Sequence, residues 1–279
     1  MDEAGCSSGP ACRSLCLRAL CRWAEDGNLT DSPRILFAGG CHVNGFPVGA
    51  EHSLSSVALR WLGHPEAEKP IAFAYITLKS GRLLTEACRE QQAEFLVLQV
   101  GNYETMPRFG KILGIRGSSG SSSISSYSVP FAPDPKMQYK PTVRSRLLDA
   151  RRMALAALLT AMGKKRKIFD EAAMAARLDS VLKGLRDLPL KGIVLLSPFS
   201  CPDRLTRACR RRAAPIFAAA AKKFGCIFVD AFNELEGYPR GEAYRANFAD
   251  ECHLGRLGHE RVGRMVGEAL RAAMEAARS

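Results

Sequence analysis

The stretch Ile35-Leu36-Phe37-Ala38-Gly39-Gly40-Cys41 is an apolar run of strand length that ends in two glycines and a cysteine. A short run with no polar alternation is typical of a strand that is buried on both faces, as in a parallel sheet. The two glycines allow the backbone to turn sharply where the strand ends. We therefore expect a central strand whose carboxyl end presents Cys41.

Four further apolar runs of strand length follow, at residues 71–76, 95–100, 192–196 and 226–229. Helical periodicity separates them, at residues 54–62, 83–92, within 143–185, at 205–224 and at 257–277. Strands that alternate with helices predict an α/β fold, here a three-layer α/β/α sandwich around a five-stranded parallel sheet of the flavodoxin-like kind. Ligands of such open sheets bind at the carboxyl ends of the strands, where the strand order reverses.

The chain has 279 residues, 47% of them hydrophobic, which suits one α/β domain with a substantial core. Residues 1–30 are predicted to be an N-terminal extension, and residues 31–279 the domain itself. A Ser-, Gly- and Pro-rich loop at residues 117–136 interrupts the domain directly after the third strand. Long loops of this kind are either lids over a site or disordered linkers, and the composition leaves both open.

The formal net charge is +12, with dense basic runs at residues 164–167 and 210–212. Such runs can bind nucleic acid, but no aromatic residues interleave with them to form a stacking platform. We therefore interpret both runs as solvated helix faces and expect no nucleic-acid partner.

Several other classes of protein are disfavoured. No apolar run approaches the roughly 20 residues of a membrane span, and the N-terminus does not resemble a signal peptide. A cytoplasmic location is therefore expected, with most of the ten cysteines reduced. No group of histidines, cysteines and carboxylates has the spacing of a metal site, and no cofactor motif is evident, so neither is expected.

Chemically apt residues follow four of the predicted strands. Cys41 follows the first, Ser80-Gly81 the second, Gly101-Asn102 the third, and Asp250-Glu251-Cys252-His253 lies after the fifth. Together they suit acyl transfer. The Cys41 thiolate would attack a carbonyl, His253 would move the proton, and Asp250 would orient the imidazole. The N–H groups of Cys41 and Gly81 and the side-chain amide of Asn102 would form an oxyanion hole.

These landmarks, in this order, resemble the SGNH (GDSL-type) hydrolase family. Its Gly-Asp-Ser, Gly, Gly-x-Asn-Asp and Asp-x-x-His blocks correspond here to Gly39-Gly40-Cys41, Gly81, Gly101-Asn102-Tyr103 and Asp250…His253. The resemblance extends from about Pro33 to the C-terminus and is most specific in the last block. It implies an enzyme acting on ester or thioester bonds, with a small-molecule or carbohydrate-linked ester as substrate.

Three residues depart from the family pattern. Cys41 stands for the nucleophilic Ser, Gly40 for the preceding Asp, and Tyr103 for the Asp after the oxyanion-hole Asn. A cysteine can be the better nucleophile if its pKa is lowered. Hydrolysis through Cys41, acyl transfer on the same fold, and a non-catalytic binding module that keeps the cleft all remain open. His42 and Tyr103 are candidates to line the substrate pocket, and the sequence does not predict an oligomeric state.

Overall fold

The computed structural model describes residues 33–63, 71–73, 76–107, 133–164 and 168–279. Residues Arg34–Ser279 form one compact unit. The predicted extension at 1–30 lies outside the described residues, as does all but the last four residues of the predicted loop at 117–136.

A single parallel sheet organises the described chain. Its strands are β1 (Ile35–Gly39), β2 (Ile71–Phe73), β3 (Phe95–Gln99), β4 (Gly192–Leu196) and β5 (Ile227–Val229), and their spatial order is β2-β1-β3-β4-β5. In the central pair, Ile35 is opposite Phe95 and Gly39 is opposite Gln99. Because the chain leaves β1 for one edge and then crosses to the other, the strand order reverses between β1 and β3.

Helices connect the strands and cover both faces of the sheet. They are α1 (Leu54–Trp61), α2 (Gly81–Glu90), α3 (Val143–Ala161), α4 (Glu171–Leu185), α5 (Arg204–Phe224), α6 (Ala231–Glu236), α7 (Glu242–Arg245) and α8 (Arg256–Ala276). Polar side chains cap several of them by accepting a backbone N–H of the first turn. The capping residues are Ser53 for α1, Thr142 for α3, Asp170 for α4 and Asp203 for α5.

Alternate residues of each strand enter two separate cores. Leu36 and Leu96 pack against α2, α4 and α5 on one face, while Phe37 and Val97 pack against α1 and α8 on the other. Strands covered on both faces are almost entirely apolar, which is why they appear in the sequence as nearly continuous apolar runs. The predicted three-layer α/β/α sandwich with a five-stranded parallel sheet is confirmed.

Some local predictions need correction. The helical region predicted within 143–185 is two helices, α3 and α4. The short helices α6 and α7 were not predicted, because a few residues are too few to show helical periodicity. In the described part of the chain, no helix is long and apolar enough to cross a membrane.

Candidate active site

Cys41 lies where the chain turns sharply out of β1, at the start of a single 3-10 turn. A Cβ at Gly39 would come within 2.4 Å of the Gln99 carbonyl oxygen, so glycine lets the ends of β1 and β3 approach this closely. The Gly40 N–H donates to the Gln99 carbonyl oxygen at 3.2 Å and to Gln99 Oε1 at 3.1 Å. The turn that presents Cys41 is therefore tied to the end of the neighbouring strand.

Asp250 builds the loop that carries His253. Its Oδ1 accepts the backbone N–H groups of Cys252 at 2.7 Å and of His253 at 2.8 Å. Its Oδ2 lies 2.7 Å from His253 Nδ1. Burial works to raise the pKa of Asp250, but these hydrogen bonds together hold the pKa of this carboxyl below its ordinary value. Asp250 is thus an anion that holds the imidazole through Nδ1 and leaves Nε2 available for proton transfer.

The Cys41 thiol and the His253 ring lie close enough for each to shift the pKa of the other, and Cys41 Sγ also lies 3.9 Å from His42 Nδ1. Burial is the strongest single influence on Cys41 and opposes its ionisation, but the hydrogen bond and the charge of His253 bring the pKa of Cys41 below its ordinary 9.0. Burial also disfavours the charged His253 ring, yet hydrogen bonds to Asp250 and Cys41 raise the pKa of His253 from 6.5 to about 10. Both shifts favour a thiolate–imidazolium pair near neutral pH.

The pKa values of the other described cysteines are raised rather than lowered. Burial raises the pKa of Cys88, Cys201, Cys209 and Cys226 to about 11 and the pKa of Cys252 to about 12. Among the described cysteines, Cys41 is therefore the one whose pKa is lowered.

Asn102 is arranged as a hydrogen-bond donor at the end of β3. The preceding Gly101 has a φ of 95°, in the left-handed region that favours glycine, and so turns the chain out of the strand. Asn102 is only 4% exposed, and its Oδ1 accepts the Phe199 N–H at 2.9 Å. Its buried Nδ2 finds no acceptor among the described residues. A buried amide with a free donor suits an oxyanion hole, because a developing negative charge would complete its hydrogen bonding.

Gly40 and Tyr103, two of the three residues that depart from the family pattern, lie next to each other beside Cys41. A Cβ at Gly40 would lie 3.3 Å from Tyr103 Cε2, so the Tyr103 ring occupies the space over Gly40. The Tyr103 side chain also hydrogen-bonds Cys41, and this bond helps to lower the pKa of the thiol. Tyr103 therefore lies beside both Gly40 and Cys41.

The buried side of the site is lined by rings. His42 is 3% exposed, and its ring centroid lies 5.5 Å from that of His253 and 5.1 Å from that of Phe199. Burial lowers the pKa of His42 well below 6.5, so this ring is neutral. The Phe46 ring packs edge-on against His253, with centroids 4.9 Å apart. His42 thus lies beneath the Cys41–His253 pair, and its role in lining a substrate pocket stays a prediction.

Gly81 is the remaining residue of the predicted oxyanion hole. It is the first residue of α2, and an added Cβ there would face Val181 of α4 at 3.5 Å. No hydrogen bond from Gly81 to Cys41 or His253 occurs among the described residues. Its contribution to the oxyanion hole stays a prediction.

Arg210 is buried, contrary to the prediction from the sequence. We expected the run 210–212 to be solvated, but Arg210 is 1% exposed and has no carboxylate partner among the described residues. Its guanidinium donates to the Phe199 carbonyl at 3.1 Å and to the Asn102 carbonyl at 3.4 Å. Arg210 therefore holds the backbone that positions the Asn102 amide. Its neighbours Arg211 and Arg212 pair with carboxylates at the surface, as a solvated face would.

No protein-family model matches the sequence, and no curated protein matches it. Among solved structures, the chain is similar to a lipase/acylhydrolase from Enterococcus faecalis, with a TM-score of 0.52 and 11% identity over 86% of this chain and 96% of that one. It is also similar to a protein from Parabacteroides merdae described as a GDSL-like lipase, with a TM-score of 0.52 and 15% identity over 87% of this chain and 97% of that one. At these identities the similarity establishes a shared fold.

Proposed function

We propose that the chain is an SGNH-like hydrolase that cleaves ester or thioester bonds through an acyl-enzyme on Cys41. The observation that carries this proposal is the Cys41–His253–Asp250 constellation. A thiol of lowered pKa lies beside an imidazole whose Nδ1 lies 2.7 Å from a half-buried carboxylate. Cys41 follows β1 at the rim of the sheet where ligands of this fold class bind, and Asp250 and His253 lie in the loop between α7 and α8.

The reaction would begin with attack of the Cys41 thiolate on the ester carbonyl carbon. The new C–S bond pushes the carbonyl electrons onto oxygen, and the free Asn102 Nδ2, with the Cys41 N–H, would donate to that oxyanion. Gly81 would add a further N–H donor. When the intermediate collapses, the C–O bond breaks and the His253 imidazolium protonates the departing alkoxide. The product is a thioester on Cys41.

Deacylation would reverse these roles. Neutral His253 takes a proton from water, whose oxygen attacks the thioester carbonyl, and the C–S bond then breaks to restore the thiolate and the imidazolium. Asp250 stabilises the imidazolium in both halves of the cycle. An alcohol in place of water would make the same site an acyltransferase. A small-molecule or carbohydrate-linked ester is the substrate class we propose, and a cytoplasmic location stays a prediction.

The hydrogen bond from Tyr103 to Cys41 favours catalysis over a non-catalytic binding module. A hydrogen-bond donor aimed at the sulfur stabilises the thiolate, whereas a binding cleft has no need of an ionised thiol. Tyr103 would also bound the substrate pocket above Gly40.

Turnover of an activated aryl ester tests the proposal. Cys41→Ala should abolish turnover, and Asp250→Asn should lower kcat by about 10²–10⁴-fold, as in other nucleophile–His–Asp sites. Cys226→Ala is the matched control, because Cys226 is also half-buried but has a raised pKa. Full turnover by Cys41→Ala would reject the mechanism. Added glycerol that diverts the acyl group into a glycerol ester would identify transfer.

A further inference from the structure

The outward face of helix α3 is apolar, which is unusual for a surface helix. Val143 is 85% exposed, Leu147 61% and Leu158 57%, and Met162, just past the helix, is 53% exposed. Surface helices of globular proteins normally place such residues toward the core. This surface calls for a partner that covers apolar side chains.

The exposed apolar residues of α3 form one continuous strip. At 3.6 residues per turn, Val143, Leu147 and Leu158 lie on the same side of the helix. The spaces between them are filled by the exposed alanines Ala150, Ala154, Ala157 and Ala161. The residues that α3 buries against the rest of the protein, Ala156 and Leu159, lie on the opposite side. We call the outward side the apolar strip.

Arginines border the apolar strip on both long edges. Arg146 lies on one edge, and Arg144 and Arg151 lie on the other; all three are exposed. None of them pairs with a carboxylate within the described ranges. The single acidic residue of α3, Asp149, lies off the strip, where it accepts the Arg204 N–H at 3.1 Å. The strip is therefore an apolar band with positive charge on both sides of its N-terminal half and no negative charge.

We propose that α3 lies on the surface of an anionic lipid bilayer, with its apolar strip in the acyl region and its arginines among the headgroups. A helix in the membrane interface needs an apolar face with basic residues at its polar boundary. Arginine suits this place because its aliphatic stem stays in the apolar layer while the guanidinium reaches the lipid phosphates. Anionic headgroups complement both edges at once.

A second copy of this chain fits the same surface less well. Pairing two apolar strips face to face in parallel sets arginines of one copy against arginines of the other along both edges, and pairing them antiparallel about the middle of α3 brings Arg151 of one copy close to Arg151 of the other. No carboxylate of α3 is available there to offset this repulsion. Membrane binding by this face does not depend on the reaction proposed for Cys41.

Vesicle flotation of the full chain tests the proposal. The probes are vesicles of equal parts phosphatidylcholine and phosphatidylserine, and vesicles of phosphatidylcholine alone. The wild type should float with the anionic vesicles and much less with the neutral ones. The double variant Leu147→Ser with Leu158→Ser should lower the partition coefficient at least roughly tenfold. Leu83→Ser is the matched control, since Leu83 is 47% exposed on α2, and it should bind like the wild type.

The charge contribution is tested separately. The triple variant Arg144→Gln, Arg146→Gln and Arg151→Gln should lower binding to anionic vesicles by roughly a hundredfold, and added salt should weaken wild-type binding. A matched control removes three exposed basic residues elsewhere: Arg89→Gln, Lys183→Gln and Arg186→Gln. This control variant loses the same net charge as the triple arginine variant. It should keep most of the wild-type affinity for anionic vesicles if the arginines of α3, rather than the net charge of the protein, bind the lipid.

Each of the following results would overturn the proposal. The first is a wild type that does not float with anionic vesicles. The second is equal binding by the Leu147/Leu158 variant. The third is a wild type that self-associates in sedimentation velocity without vesicles and loses this self-association in that variant, which would make the strip an interface between copies. Thermal unfolding of each variant shows whether it is folded, and a large loss of stability in the leucine variant would show that the chain itself covers the strip.

Discussion

Tyr103→Phe is the substitution that most sharply probes how Cys41 is activated. The phenylalanine keeps the ring that packs 3.3 Å from a Cβ position at Gly40 and removes only the hydroxyl that bonds to Cys41. The thiolate loses one donor, whereas the His253–Asp250 pair is untouched. We therefore expect the pKa of Cys41 to rise in the variant.

The size of the rise follows from the strength of the bond. A hydrogen bond to a charged group contributes about 1.5–3 kcal/mol, and about 1.4 kcal/mol corresponds to one pKa unit. Cys41 is half-buried, so water can replace part of what the hydroxyl provided, and the lower end applies. We expect the pKa of Cys41 to rise by about one unit.

Alkylation by iodoacetamide across pH measures this change in two ways. Below the thiol pKa, the variant holds about tenfold less thiolate, but a more basic thiolate is more nucleophilic, so its rate should fall only about threefold. On the alkaline plateau the same increase in basicity should make the variant roughly threefold faster than the wild type. The two rate profiles should cross. Tyr238→Phe, which removes a hydroxyl bonded to Glu234, is the control and should leave the profile unchanged.

Coincident profiles for Tyr103→Phe and the wild type would refute the role of Tyr103. A variant that is slower at every pH would point instead to altered access to the sulfur, because access changes the rate without moving the midpoint.

Other residues of the site give further expectations. Asn102→Ala should lower turnover by roughly 10²–10³-fold. Asn102→Asp should lower turnover by a similar factor with a smaller loss of stability, because it keeps an acceptor for the Phe199 N–H. An unchanged turnover rate in both variants would show that Asn102 is not part of the oxyanion hole. Burial lowers the pKa of His259 to about 3. Below about pH 6.5 the unfolded chain therefore binds a proton at His259 that the folded protein does not bind. The free energy of unfolding should fall as the pH drops from about 6.5 toward 3. The Leu54 N–H donates to His259 Nδ1 at 3.1 Å, and the side chain of His259→Asn can still accept this hydrogen bond. Between about pH 8 and pH 5, the free energy of unfolding, measured in urea, should fall by about 2 kcal/mol less in this variant than in the wild type. An equal fall with pH in the two proteins would contradict a neutral His259.

The sheet was predictable because its strands are buried on both faces. Residues 35–38, 95–98 and 192–196 appear as unbroken apolar runs, and the runs alternate with helical segments. The Asp250–His253 unit was predictable for a local reason, since Asp250 accepts the N–H groups of the residues two and three positions ahead and so builds its own loop.

The rest of the site depends on contacts between distant parts of the chain. The position of Tyr103 against Cys41 depends on the approach of β1 and β3, which a linear pattern does not contain. Arg210 belongs to a basic run that looks solvated, and its burial follows from how α5 packs beneath the turns that hold Phe199 and Asn102. The outward apolar strip of α3 was missed for a related reason, because periodicity shows that a helix is amphipathic but not which side faces the core.

Intact-mass analysis during turnover of p-nitrophenyl acetate most directly tests whether Cys41 is the nucleophile. We predict one acetyl group per chain, located on Cys41 by peptide mapping and released by neutral hydroxylamine as a thioester should be. The adduct should be absent in Cys41→Ala and present in Cys226→Ala. Acetylation that maps to another residue, or turnover that continues in Cys41→Ala, would contradict the mechanism.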